Sequence, residues 1–285
     1  MTRVLFASDL DRTLIYPLRS LPMGHSATVI EHHHGRGVTV ATDEALRALR
    51  ELAARDAFVP VTTRSRKQLE RVSPVWQLAV QGWAICSDGA TLLYQGSVDT
   101  DWCARVDEIC AESAPLEEGL ELFKRELGSP DTASWIATLY DCDRRFLYAT
   151  IVDAEKPDGL EQAAQLAFAQ LGWKAVRHGR KLYAMPAGIG KAPAVRYLCE
   201  RLGVETLLAA GDSVLDTDVL QDADVAWCPC DAELVALDQV PAGALITTRE
   251  HVGSAQQIAL AALERVREAD PAPAVAGAQR PGQRG

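Results

Sequence analysis

Apolar residues in this chain recur with two different periods. Val4 to Ser8 is a short apolar run that breaks off at Asp9-Leu10-Asp11-Arg12-Thr13, as in a buried strand that delivers polar groups at its C-terminal end. From about Asp43 to Arg55 the period lengthens, and Leu46, Leu49, Leu52 and Ala53 share one helical face. Phe58-Val59-Pro60-Val61 predicts a second buried strand, ending in Thr62-Thr63-Arg64-Ser65 and followed by a polar helix near Lys67 to Val72. Strand, polar tip and helix, twice in succession, is the α/β arrangement, in which ligands gather at the carboxyl ends of the strands.

Residues 16–41 interrupt that alternation. Ala27 to Glu31 and Gly37 to Ala41 read as two short strands around Gly35-Arg36-Gly37, a hairpin lying over the sheet edge or the site. It carries His25 and His32-His33-His34. Consecutive strand residues point to opposite faces, so these histidines read as an exposed turn segment rather than a ligand set.

Residues 91–186 form a separate block. Trp102, Val106, Ile109 and Cys110 recur at helical spacing, then Trp135 to Tyr140 and Phe146 to Val152 read as strands about a polar turn at Asp141 to Arg144. A helix carrying Leu160, Ala164, Ala167 and Leu171 follows, then strands Lys174 to Arg177 and Lys181 to Met185 about His178-Gly179. The predicted order is αββαββ, a small sheet with helices on one face. The α/β pattern resumes after Pro186, with a helix from Lys191 through Leu202, a strand Thr206 to Ala210 ending in Gly211-Asp212-Ser213-Val214-Leu215-Asp216, and further strands at Asp224 to Trp227 and Ala244 to Thr247. A last helix spans Ser254 to Glu268, and beyond Asp270 no apolar period remains.

Composition narrows the function. Lys and Arg number 29 against 39 Asp and Glu, a net charge of −10, which supplies no basic footprint for nucleic acid. No apolar run approaches the ~18 residues of a membrane span, and Val4-Leu5-Phe6-Ala7 is too short for a signal-peptide core. The 7 cysteines follow no framework spacing, so reduced thiols and a cytoplasmic location are expected. Cys228-Pro-Cys230 has no second ligand pair nearby and predicts no zinc site.

The polar tips carry the chemistry. Asp9 and Asp11, Thr62, Lys191, and Asp212 with Asp216 all sit at positions that a parallel sheet brings to one edge. Four converging carboxylates repel one another unless a divalent cation neutralises them, and hard oxygen ligands favour Mg²⁺. A lysine and a hydroxyl beside Mg²⁺ make a phosphoryl pocket.

These residues resemble the four motifs of the haloacid dehalogenase-like (HAD) phosphohydrolases: Asp9-Leu10-Asp11-Arg12-Thr13 the first, Thr62 the second, Lys191 the third and Gly211 to Asp216 the fourth. The block between motifs two and three resembles the αββαββ cap of the branch with sucrose-phosphate phosphatase, mannosyl-3-phosphoglycerate phosphatase, phosphomannomutase and the Cof-type sugar phosphatases. Ser87-Asp88-Gly89-Ala90 resembles that branch's Asn-Gly loop, with Asp for Asn. With the α/β pattern above, the resemblance implies a Rossmann-like parallel-sheet core over 1–90 and 187–270 and an α+β cap over 91–186, while the tail over 271–285, having no apolar period, is expected to be disordered.

It also implies roles. Asp9 would attack phosphorus and form an aspartyl-phosphate, and Asp11 would act as acid and then base. Asp9, the Asp11 carbonyl and Asp212 would hold Mg²⁺, with Asp216 as a further ligand or an acceptor behind them. Thr62 and Lys191, with Thr63 and Arg64 beside them, would bind phosphoryl oxygens. Arg12 and Thr63 stand where the family commonly has glycine, and Arg12 either points outward or reaches the substrate. Arg144, Arg145, Arg177, His178, Arg180 and Lys181 cluster at two cap turns, and would read substrate anions if either turn faces the site. The expected activity is hydrolysis of a small phosphorylated metabolite, sugar phosphates first. A phosphomutase and a non-catalytic ligand sensor are the alternatives.

Overall fold

The computed structural model describes residues 3–269, so the expected tail over 271–285 lies outside the described residues. β1 (Val4–Ser8) is buried at every position. β2 (Tyr16–Pro17), β3 (Ala27–His33) and β4 (Arg36–Thr42) form a small antiparallel sheet. α1 (Asp43–Ala54) starts where the Thr42 side chain accepts the Ala45 N–H, with Asp43 and Glu44 at the positive end of its dipole. β5 (Phe58–Pro60) leads into two short helices, α2 (Arg66–Leu69) and α3 (Ser73–Trp76). β6 (Trp83–Cys86), β7 (Thr91–Tyr94) and β8 (Ser97–Val98) make a second antiparallel sheet, set alongside β5 by the Val61–Ile85 bridge.

Then come α4 (Thr100–Ala111), α5 (Leu116–Leu122) with a π-helical turn at Phe123–Leu127, β9 (Ile136–Cys142), β10 (Phe146–Ile151), α6 (Leu160–Ala169), β11 (Trp173–His178) and β12 (Lys181–Pro186). The chain returns through α7 (Lys191–Leu202), β13 (Thr206–Ala210), α8 (Thr217–Asp222), β14 (Val225–Cys228), α9 (Glu233–Ala236), β15 (Leu245–Ile246) and α10 (Val252–Ala269).

The central sheet is parallel, in the order β15-β14-β13-β1-β5. From β1 the chain first moves outward to β5, and after the insertion it resumes on the other side of β1. The strand order therefore reverses at β1 and β13, the place where open α/β sheets bind ligands. Alternate residues of β1 feed two cores: Leu5 and Ala7 pack toward α7, whereas Val4 and Phe6 pack toward α1 and α10. Each large side chain so buried contributes ~2 kcal/mol.

The four-stranded antiparallel sheet runs β11-β12-β10-β9. One face carries Ala175, Leu182, Ala184, Leu147 and Ala149 into a core with Phe123, Leu160 and Phe168 of the covering helices. The other face carries Met185, Tyr183 and Phe146 into the cluster shared with α7. The predicted αββαββ order misses α5, and the reason is Gly119 in mid-helix. A Cβ there would stand 2.6 Å from the Trp173 ring, so packing demands the glycine that helix propensity disfavours. α4 packs elsewhere: Trp102 lies 5.1 Å from the Tyr197 ring of α7 and donates its indole N–H to the Gly89 carbonyl.

The β3–β4 hairpin is longer than its sequence pattern suggested, and His32, His33 and His34 are exposed on it. All 7 cysteines are free thiols. Among the described residues no helix is long and apolar enough to cross a membrane.

Candidate active site

Asp9 leaves the end of β1 with its N–H bonded to the Ala210 carbonyl of β13, so the two central strands place it together. Its Oδ1 lies 2.7 Å from Lys191 Nζ, and the Thr13 hydroxyl donates to its Oδ2 at 3.3 Å. Lys191 opens α7 and is 2% exposed; its Nζ also reaches Asp216 Oδ1 at 2.6 Å. Burial opposes the lysine's charge, but the carboxylates of Asp216 and Asp9 outweigh it and hold the pKa above the ordinary value. Burial raises the Asp9 pKa above the usual carboxylate range, with Lys191 pulling the other way.

Asp216 has no free oxygen. Its Oδ2 accepts the backbone N–H of Asp212 at 3.2 Å, that of Ser213 at 3.0 Å and the Ser213 hydroxyl at 2.8 Å. It thus fastens the loop and positions Lys191. Gly211 makes room for it, since a Cβ there would fall 2.3 Å from Asp216 Cβ. Asp212 is 2% exposed, and its Oδ2 has no partner. Burial and the neighbouring Asp9 push its pKa well up. Ligand atoms of Asp9, Asp212 and Asp216 lie within 4.8 Å of one another. An all-oxygen set with an orphaned buried carboxylate oxygen fits a small hard cation.

Asp11 points to a more open side, its side chain 45% exposed. Arg64 grips it twice, Nε to Oδ2 at 2.6 Å and Nη2 to Oδ1 at 2.8 Å, and also reaches Glu31 Oε2 at 3.0 Å. Glu31 lies on β3, and it further takes the Thr39 hydroxyl at 2.8 Å and Arg71 Nε at 3.2 Å. Burial works to raise the Asp11 pKa, but Arg64 overcomes it and the value falls below the ordinary one. Arg64, expected near phosphate, is here committed to two carboxylates. Thr62 is buried, with its hydroxyl accepting the Arg64 backbone N–H at 3.2 Å. Thr63 lies near enough to Tyr183 of β12 to act on its hydroxyl, which sets it toward the cap sheet. Arg12, in the left-handed region at φ 65°, is exposed.

Of the cap cations, the β11–β12 turn supplies those that face this cleft. His178 and Lys181 are register partners. The His178 Nδ1 pairs with Glu233 Oε2 of α9 at 2.8 Å, and Lys181 acts electrostatically on Asp11. The other cap residues are engaged or exposed elsewhere: Arg144 with Glu117, Arg145 with Asp107 and Cys103, Arg177 with Asp153 and Glu161, and Arg180 in solvent.

Sequence reasoning missed Glu31, Glu233 and the consequence of Asp88. Glu31 and Glu233 belong to no motif, and only folding brings them to Arg64 and His178. Asp88, which stands in the Asn position of the resembling loop, is 1% exposed with neither carboxylate oxygen partnered. Burial pushes its pKa up to about 6, with Lys191 and Lys174 opposing.

No protein-family model matches the chain, and no curated protein is similar to it in sequence. Solved structures do match. The sucrose-phosphatase of Synechocystis, in complex with sucrose and phosphate, aligns at TM-score 0.63 and 16% identity over 93% of this chain and 99% of its own. A Thermoplasma acidophilum protein aligns at 0.62 and 16% over 92% and 99%. A phosphatase of the haloalkanoate (HAD) superfamily from Bacteroides thetaiotaomicron aligns at 0.54 and 16% over 93% and 95%. The chain thus has the fold of the HAD phosphatases: a parallel-sheet α/β core carrying an inserted α+β cap.

Proposed function

We propose that this protein is a Mg²⁺-dependent phosphohydrolase that removes phosphate from a small phosphorylated metabolite, with sugar phosphates favoured. The observation that carries the reading is Asp9, clasped by Lys191 and set beside the orphaned carboxylate of Asp212. The likeness in fold to a sucrose-phosphatase supports the sugar-phosphate class.

Asp9 Oδ attacks phosphorus, the bond to the leaving oxygen breaks, and an aspartyl-phosphate forms; water then displaces the phosphate and restores the carboxylate. Lys191 and Thr62 hold phosphoryl oxygens. The Asp9 and Asp212 carboxylates and the Asp11 carbonyl would hold Mg²⁺, with Asp216 behind them. Bound there, the cation would offset the charge that builds on the phosphoryl oxygens. Asp11 protonates the leaving oxygen and then takes a proton from the attacking water. The Arg64 fork favours the ionised form of Asp11, which suits the second half-reaction; the first needs a proton on Asp11 as the leaving group enters. Phosphate release from a panel of sugar phosphates with Mg²⁺ should fall by about 10³-fold or more in Asp9→Asn. Turnover without Mg²⁺, or an unaffected variant, overturns the reading.

A further inference from the structure

Lys181 stands apart from the other partly or fully buried cations around the cleft. Lys191 is bonded to Asp9 and Asp216, Arg64 to Asp11 and Glu31, Arg71 to Glu31, and His178 to Glu233. Lys174, on the same sheet face, donates to the Ile189 carbonyl at 2.5 Å. Among the described residues no carboxylate or hydrogen-bond acceptor is paired with Lys181. Its ammonium rests instead over the rings of Tyr148 and Tyr183, 4.9 and 5.9 Å from their centroids. Burial lowers its pKa while Asp11 opposes that shift.

The register explains how it comes to be there. Lys181 is paired with Thr150 of β10 and His178 of β11, and Tyr183 with Tyr148 and Val176. These residues therefore share the sheet face that packs toward the core. At the turn of β11 and β12 the two register partners straddle the site, His178 on the Asp212 side and Lys181 on the Asp11 side. If Asp9 is the nucleophile and Asp11 the acid, the side of Asp11 is where the leaving group lies. The transferring phosphoryl has its own partners in Thr62 and Lys191.

We infer that Lys181 is a specificity residue that binds a carboxylate on the leaving group, so that the preferred substrates are phosphate monoesters of hydroxy acids, such as phosphorylated sugar acids. This rests on the phosphohydrolase reading above. A half-buried ammonium without an acceptor is costly until an anion meets it. One lysine over two aromatic faces is a point charge suited to a monoanion. A second phosphate group calls for more donors, typically a bidentate arginine, and the two arginines that act on Lys181, Arg64 and Arg71, are both engaged by carboxylates.

The test compares substrates that differ only in the acid: 6-phosphogluconate with glucose 6-phosphate, and 3-phosphoglycerate with glycerol 3-phosphate. With Mg²⁺ the acid of each pair should be preferred by about tenfold or more in kcat/KM, chiefly through KM. In Lys181→Met that ratio should fall to near one, and Lys181→Arg should restore part of it. Equal preference in the wild type, or a ratio unmoved by Lys181→Met, overturns the assignment. So does a Lys181-dependent preference for fructose 1,6-bisphosphate over both acids, which would make the second anion a phosphate. Calorimetric binding of the same pairs to Asp9→Asn separates this inference from the reading beneath it. Lys181-dependent selection of the acid without turnover in the wild type upholds the binding role while the hydrolase reading fails.

Discussion

Arg64 holds Asp11 in a two-bond fork, with Nε and Nη2 at 2.6 and 2.8 Å from its two carboxylate oxygens across 53 residues of sequence. The fork lowers the pKa of the group that, in the proposed reaction, takes a proton from water. Removing it in Arg64→Met should therefore move the acidic limb of the kcat profile to higher pH, because Asp11 then ionises later. Rates measured from pH 4 to 9 read this directly, and a limb that stays in place would show that another group sets it.

Asp88 makes the opposite kind of prediction. Its pKa is raised to about 6 from 3.8, so the ionised carboxylate costs stability at any pH above the folded value, and the cost fades as pH falls through it toward the unfolded value. Asp88→Asn keeps the shape and removes the charge. It should raise stability by about 3 kcal/mol at pH 8 and change little at pH 4, read from urea unfolding at both pH values. An equal effect at the two pH values sinks this account.

The orphaned Asp212 oxygen predicts metal-linked stability. Mg²⁺ at a hundred times its dissociation constant should stabilise the protein by about 2.7 kcal/mol, seen as a rise in Tm. Asp212→Asn should abolish most of that rise while folding normally without metal, since it relieves rather than creates a buried charge. A Tm that responds to Mg²⁺ equally in both proteins would place the cation elsewhere.

His178 joins the cap to α9 through Glu233. Burial works against its charge, but Glu233 and Asp212 prevail and raise its pKa above the ordinary histidine value. A raised value means the pair's stabilisation is full below the unfolded pKa of ~6.5 and lost as pH rises through the folded one. Metal-free wild type should thus lose Tm between neutral and alkaline pH more steeply than His178→Gln. Parallel Tm curves would exclude the pair as a source of pH dependence.

The motif residues were legible because each stands where an apolar run ends. A strand that stops at a polar tip announces both its burial and its ligand edge, and the order β1, β5, β13 then brings Asp9, Thr62 and Asp212 to that edge. Lys191 was legible for the same reason, as the first residue of a helix after the insertion. The helix α5 was not, since Gly119 answers to Trp173 across space and weakens the local helical signal.

What the chain determines by itself is the alternation of buried strands and amphipathic helices, and the set of oxygen and ammonium groups at their ends. These depend on short-range period and on residue chemistry. The partnerships depend on folding: which carboxylate takes Arg64, which oxygen of Asp212 is left over, and which cap cation faces Asp11. Glu31 meets Arg64 from 33 residues away and Glu233 meets His178 from 55, distances over which no sequence period speaks. Charge pairing is settled by burial and proximity together, so only the packed molecule shows that Arg64 is spent and Lys181 is free.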